Sequence, residues 1–165
     1  MANHCLLPVY QALFDEAFDY GDFAKRMKMQ KAVYLLQDLG MPVGDYGYRW
    51  YIHGPYCQEL QDDMHDAMHC DPADAEDISD YEAEISKLRE AINDPGRGSY
   101  DEAQWLECLG SLRYIRKWVL SLRATKEQVL AELVERKKHM NDPQANMAAY
   151  ACLHRLYKEE GLFKK

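Results

Sequence analysis

KAVYLLQDLGMPVGDYGYRWYIHGPYCQEL, residues Lys31 to Leu60, is the stretch on which the fold turns. It opens as the apolar end of a helix, passes through a Gly/Pro loop and continues as an aromatic extended run. Gly54-Pro55 then turns the chain into a further helix, Tyr56–His69, with proline pre-setting a first turn that does not need its missing N–H. Tyr46–His53 is the best strand in the chain, aromatic and bounded by glycines. Alternation places Tyr48, Trp50 and Ile52 on one face, and Arg49, Tyr51 and His53 on the other. One strand does not stand alone. It needs a partner that the sequence does not identify, or it crosses the helices as an extended segment.

Upstream, apolar residues at helical spacing predict a first helix over Leu6–Tyr20 and a second over Phe23–Leu39. The second has so wide an apolar surface that it belongs at the centre, with neighbours on more than one side. Its bases Lys25, Arg26, Lys28 and Lys31 read as a solvated side. Downstream, Glu76–Asn93 carries Ile78, Tyr81, Ile85, Leu88 and Ile92 at spacings of 3 and 4, the seam of a peripheral helix. Asn93–Ser99 is a loop. Asp101–Leu122 is a fifth helix, and Gly110 within it implies close packing. Thr125 with Gln128 forms a capping box for a sixth helix running to His139. Asp142-Pro143 opens a seventh, with Met147, Tyr150, Ala151, His154 and Tyr157 inward, Gly161 at its end and Leu162-Phe163 tucked back.

The fold expected is therefore mainly α: a single-domain helical bundle of about seven helices over residues 1–165, with a short extended or two-stranded β element near 46–53. A chain of 165 residues is long enough to bury about 70 % of its unfolded surface. The 47 % apolar content argues for a core rather than disorder. Five cysteines at wide spacing, with no CxxC, suggest reduced thiols rather than a disulfide framework. The N-terminus has no signal-peptide pattern, and no apolar run reaches membrane-spanning length. A cytoplasmic protein is expected.

The net charge of −8 makes a general nucleic-acid binder unlikely. Its distribution is uneven. Glu59–Asp94 holds thirteen acids against Lys87 and Arg89, a net of −11. Ser111–His139 holds eight bases against three acids, a net of +5. The two stretches read as solvated helix faces that attract each other, or as an acidic surface for a basic partner.

No P-loop, GxGxxG or GxSxG is present, and no nucleophile with a matched base is evident. His65 and His69, four apart, share a helix face with Asp62 one turn before. That spacing suits a metal such as zinc or nickel, but the Glu of HExxH is absent and no third ligand is apparent. His53 stands at the strand-to-helix turn, where a histidine serves as a base or bonds the backbone. Cys57 sits where a helix dipole lowers a thiol pKa. Tyr46, Tyr48, Trp50, Tyr51 and Tyr56 suit base stacking or core-edge packing, and only Arg49 is basic nearby.

The pattern Lys31, Tyr34, Leu35, a Gly/Pro loop, Trp50, Gly54, Pro55, Tyr56 and Leu60 resembles the Panacea domain, the SocA-like antitoxin family, and especially its YwgA-like bacterial relatives. The shared features are a K-x-x-Y-L/F helix, an aromatic strand-like segment and a G-P-[VY]-x-x-x-L turn. From Asp71 onward the chain shows no such likeness. The resemblance implies a mainly helical fold with a small extended element, motif residues that are structural, and action by protein contact; no cofactor is expected. It thus points to a protein-binding module, an antitoxin-like neutraliser or adaptor for a protein partner such as a basic toxin. The alternatives are a metal-dependent hydrolase using His65 and His69, and a nucleic-acid-associated regulator working through the basic helices.

Overall fold

The structure, a computed structural model, describes residues 3–158. They form α1 (Leu6–Phe14), α2 (Phe23–Asp38), β1 (Arg49–Tyr51), β2 (Gly54–Tyr56), α3 (Gln58–Ala67), α4 (Glu82–Ile92), α5 (Glu102–Tyr114), α6 (Lys126–Arg136) and α7 (Pro143–Leu156). The mainly α fold expected from the sequence is the one observed. One hydrophobic cluster draws on all seven of these helices. Among the described residues no helix is long and apolar enough to cross a membrane. The helix end expected at Gly161 and the packing of Leu162-Phe163 lie outside the described residues.

Two helices form the centre. α2 packs along α5, and the pair is flanked by α4, α7 and β2. α2 has unbroken burial from Lys28 to Leu36, and α5 from Trp105 to Arg113. The central place expected for α2 therefore holds, but α5 is equally enclosed. Gly110 permits this: a Cβ there would lie 3.4 Å from Pro55 Cγ and 3.5 Å from Lys31 Cδ, so the strand and the helix both press on its bare backbone. Trp105 Nε1 donates to the Ala91 carbonyl at 2.8 Å and Tyr157 OH to the Leu35 carbonyl at 2.8 Å, which satisfies two buried aromatic donors.

The strand's partner is Gly54–Tyr56, two residues further on. β1 and β2 pair antiparallel, with Arg49 opposite Tyr56, Trp50 opposite Pro55 and Tyr51 opposite Gly54. Gly54-Pro55 thus does not open a helix, as expected from sequence; it is a strand. Proline is tolerated because the sheet has only two strands, so its missing donor faces no neighbour. Ile52, expected on the strand face of Tyr48 and Trp50, sits instead in the hairpin turn and is 78 % exposed. α3 begins only at Gln58, after Gln30 has taken the main chain of Cys57 by both ends: its Nε2 donates to the carbonyl and its Oε1 accepts from the N–H, each at 2.9 Å.

Other boundaries differ for physical reasons. α1 stops at Phe14, because Asp15 adopts a left-handed conformation (φ 52°) and caps it. α4 starts at Glu82, preceded by a 3-10 turn at Ser79–Tyr81. α5 widens into a π-helical turn over Ile115–Val119. α6 ends at Arg136, and Val134 in its last turn is exposed. α7 is capped as expected, Asp142 accepting from Ala145 N–H at 3.1 Å. Its inward face is Ala145, Ala149, Cys152, Leu153 and Leu156, whereas Met147, Ala151 and His154, expected inside, face solvent. Small residues here let the helix lie close to its neighbours, and the larger apolar side chains misled the periodicity.

Candidate functional site

The residues of the Lys31–Leu60 pattern converge. Lys31 is 1 % exposed, and its Nζ donates to the Pro55 carbonyl at 2.8 Å. Leu35 and Leu60 are core residues. Tyr34 stacks edge-on with Tyr48 at 4.8 Å, and Trp50 lies 5.6 Å from Tyr114. A Cβ on Gly54, which has φ +93°, would stand 2.5 Å from Ser111 Oγ. Tyr56 meets Tyr51 edge-on at 4.9 Å. The solvated basic side expected for α2 is corrected here: Lys28 and Lys31 are buried, and Lys28 pairs with Glu102 at 2.7 Å.

Beneath the hairpin lies a buried ionic group that sequence reasoning missed. Glu107 of α5, 2 % exposed, is approached by Lys137 at 3.1 Å, by His139 at 2.9 Å and by His53 at 3.5 Å. Lys137 also donates to the Ile52 carbonyl. Two main-chain carbonyls of the hairpin are thus held by two buried amines. Burial pushes the Lys31 amine down to about 7, with Glu107 opposing and Lys137 reinforcing. Lys137 is lowered by burial too, against the pull of Glu107. A signal for this group existed: Glu107 is the lone acid in the apolar run Trp105–Leu112.

The basic stretch Ser111–His139 is largely structural. Arg113 pairs with Asp38 at 2.9 Å and lies 3.8 Å over the Tyr157 ring, Lys117 reaches Asp38 at 3.1 Å, and Arg116 binds the Leu122 and Ala124 carbonyls. These bases pair elsewhere rather than with the acidic stretch, against the expectation of mutual attraction.

His65 and His69 do share a face, with ring centroids 4.8 Å apart, His69 lying just past the end of α3. Asp62 accepts from Gln58 at 3.0 Å, and His65 is 3.6 Å from Asp66. Among the described residues no three His, Cys, Asp or Glu side chains gather as metal ligands. All five cysteines are free thiols. Cys57 at the start of α3 is buried, its main chain engaged by Gln30.

Three clefts surround α3. The first, ≈ 690 Å³, is lined by Asp45, Glu59, Asp62, Asp63, Asp66, Asp74 and Glu76, with Asn3, His4 and Tyr46. Among the described residues no lysine or arginine pairs with any of the seven; Asp63 accepts from Tyr46 OH at 2.7 Å and Glu76 from Cys5 Sγ at 2.8 Å. Burial, then Glu76, pushes the Cys5 thiol up to about 12. The second cleft, ≈ 400 Å³, is apolar, lined by Leu7, Pro8, Ala17, Phe18, Ala67 and Met68, and it shares Asn3 and His4 with the first. The third, ≈ 290 Å³, lies on the other side of α3, against the hairpin. Compared with models of known families, with curated proteins and with solved structures, the chain finds no match.

Proposed function

We propose that this chain is a protein-binding module, an antitoxin-like neutraliser or adaptor that takes a basic amphipathic segment of its partner. The observation that carries the reading is the continuity of the acidic and apolar clefts through Asn3 and His4. A helix or strand with lysines on one face and apolar residues on the other meets both: its cations lie over seven carboxylates that no lysine or arginine among the described residues neutralises, and its apolar side chains cover Leu7, Phe18 and Met68. Charge of one sign speeds encounter and rejects acidic competitors. The apolar trough supplies the area on which affinity rests. Nothing in this role asks for a cofactor.

The test is calorimetric titration with a synthetic helical peptide of leucine and lysine, beside its glutamine-for-lysine counterpart. The lysine peptide should bind, lose affinity with added salt, and lose it again in the double variant Asp62→Lys, Asp66→Lys. Binding that ignores both salt and these substitutions, or equal binding of the neutral peptide, overturns the reading.

A further inference from the structure

The third cleft, across α3 from the proposed groove, has a different chemistry. Its apolar lining is Phe23, Met27, Tyr51, Ile52 and Tyr56, and three of these are unusually bare: Phe23 is 55 % exposed, Tyr51 56 % and Ile52 78 %. Its polar lining is Arg26, Gln30, Lys31, His53, Gln58 and Gln61, without a single carboxylate. Lys31 belongs to the floor and is almost wholly buried.

A buried ammonium needs a counter-charge close by. Lys31 has the Pro55 carbonyl, and among the described residues no carboxylate within ion-pair distance. The nearest acid, Glu107, is already engaged by Lys137, His139 and His53. Burial lowers the amine to about 7, so near neutral pH it is only partly charged, and an arriving anion would favour the full cation. Arg26 adds a second positive group at the rim. It binds the Tyr20 carbonyl through one nitrogen and lies 5.6 Å over the Phe23 ring. The size of the cleft is at the lower end for small-ligand sites.

We propose that this cleft binds a small carboxylate with an aromatic or aliphatic body, the carboxylate directed to Lys31 and Arg26 and the body packed among Phe23, Met27, Tyr51 and Tyr56. The site shares no lining residue with the protein-binding groove, although Gln58 of this cleft donates to Asp62 of the acidic one. Only non-covalent contacts are involved. The ligand would cover the exposed aromatic side chains and give Lys31 the carboxylate partner that it lacks among the described residues.

The experiment is a titration followed by amide NMR shifts, using 3-phenylpropionate, 3-phenylpropanol and 3-phenylpropylamine. The carboxylate should saturate and move the Phe23, Tyr51, Ile52 and Gln61 resonances, with an affinity about tenfold or more above that of the alcohol. Lys31→Met should bring the carboxylate down to the affinity of the alcohol. Because that change also strips Pro55 of its donor, Met27→Trp is the second variant: it fills the cleft from α2 and should abolish binding. Equal affinity for the three compounds, carboxylate binding that survives Met27→Trp, or no saturable binding by any of them overturns the proposal. The leucine–lysine peptide titration is unaffected by Met27→Trp if the two sites are separate, so failure of one proposal is distinguishable from failure of the other.

Discussion

Lys31 Nζ and the Pro55 carbonyl, 24 residues apart in the chain, meet in a buried 2.8 Å hydrogen bond. Its neighbour Gln30 holds the main chain of Cys57 from the same helix. A two-stranded hairpin is marginal by itself. Here consecutive side chains of α2, with Lys137 on the Ile52 carbonyl, supply what a third strand would otherwise give. The hairpin is therefore as stable as its seat on α2 and α5.

Gly54 tests that seat. Its φ of +93° disfavours any side chain, and a Cβ would stand 2.5 Å from Ser111 Oγ. Gly54→Ala should cost about 2–3 kcal/mol in urea unfolding. Ser111 Oγ has no hydrogen-bond partner among the described residues, so Ser111→Ala alone should be close to neutral. Combining the two should recover the steric part of the loss and leave the backbone part. A Gly54→Ala protein within experimental error of the parent would show that the hairpin is not pinned there.

The buried amines set a pH dependence. Lys31 is lowered to about 7, so above that pH the folded chain has released a proton that the unfolded chain still holds. Stability must then rise with pH from about 7, by up to about 1.4 kcal/mol per unit from this one group. Lys137, lowered as well, acts in the same direction. The opposite trend begins near the ordinary thiol range: Cys5, Cys108 and Cys152 are raised by burial, so they ionise first in the unfolded chain and stability falls. Thermal unfolding should therefore show a melting temperature that climbs between about pH 7 and 8.5 and declines above about 9. Lys31→Met should flatten the climb. A melting temperature that is level or falling across the first interval in the parent protein would contradict the burial of a free amine.

Glu107 and Lys137 are each about fully buried and 3.1 Å apart. Removing the acid alone leaves an unmatched lysine inside, so Glu107→Ala should cost about 3–5 kcal/mol. Lys137→Met alone leaves Glu107 with His139 and His53 and should cost less. The double variant should be markedly less damaged than the sum of the two, with a coupling above about 1 kcal/mol. Additive losses in chemical denaturation would mean that the two groups do not feel each other.

These residues mark the boundary of what the sequence discloses. Helix type follows from apolar spacing and caps, and both capping features, Thr125 with Gln128 and Asp142 at Ala145, were legible residue by residue. The buried charges were not. Lys28, Lys31, Arg113, Arg116 and Lys137 carry the composition of a solvated face, and only tertiary partners such as Asp38, Glu102 and Glu107 make their burial tolerable. A two-stranded element near 46–53 was legible, but its second strand was not, because Gly54-Pro55 has the local chemistry of a helix entry and its pairing with β1 is set by a turn, Ile52-His53, that contains no turn-favouring residue. The acidic trough was visible as a charge excess, yet its walls come from the N-terminal residues, the loop before β1, α3 and the segment after it. No local pattern could bring them together.

The trough also makes a prediction about cost. Seven carboxylates in one cleft repel each other, and among the described residues only Asp62, Asp63 and Glu76 of them accept a side-chain hydrogen bond. Asp66 is exposed, His65 Nδ1 lies 3.6 Å from it, and among the described residues no lysine or arginine pairs with it. Asp66→Asn, and more so the combination with Asp45→Asn, should therefore raise the melting temperature at low salt, with a gain that shrinks as salt screens the parent protein. The same changes should weaken binding of the leucine–lysine peptide. Opposite signs on stability and binding are what a surface kept for a partner produces, because a purely structural cluster loses both or neither. A protein destabilised by these changes, with peptide affinity intact, would show the acids to be part of the scaffold instead.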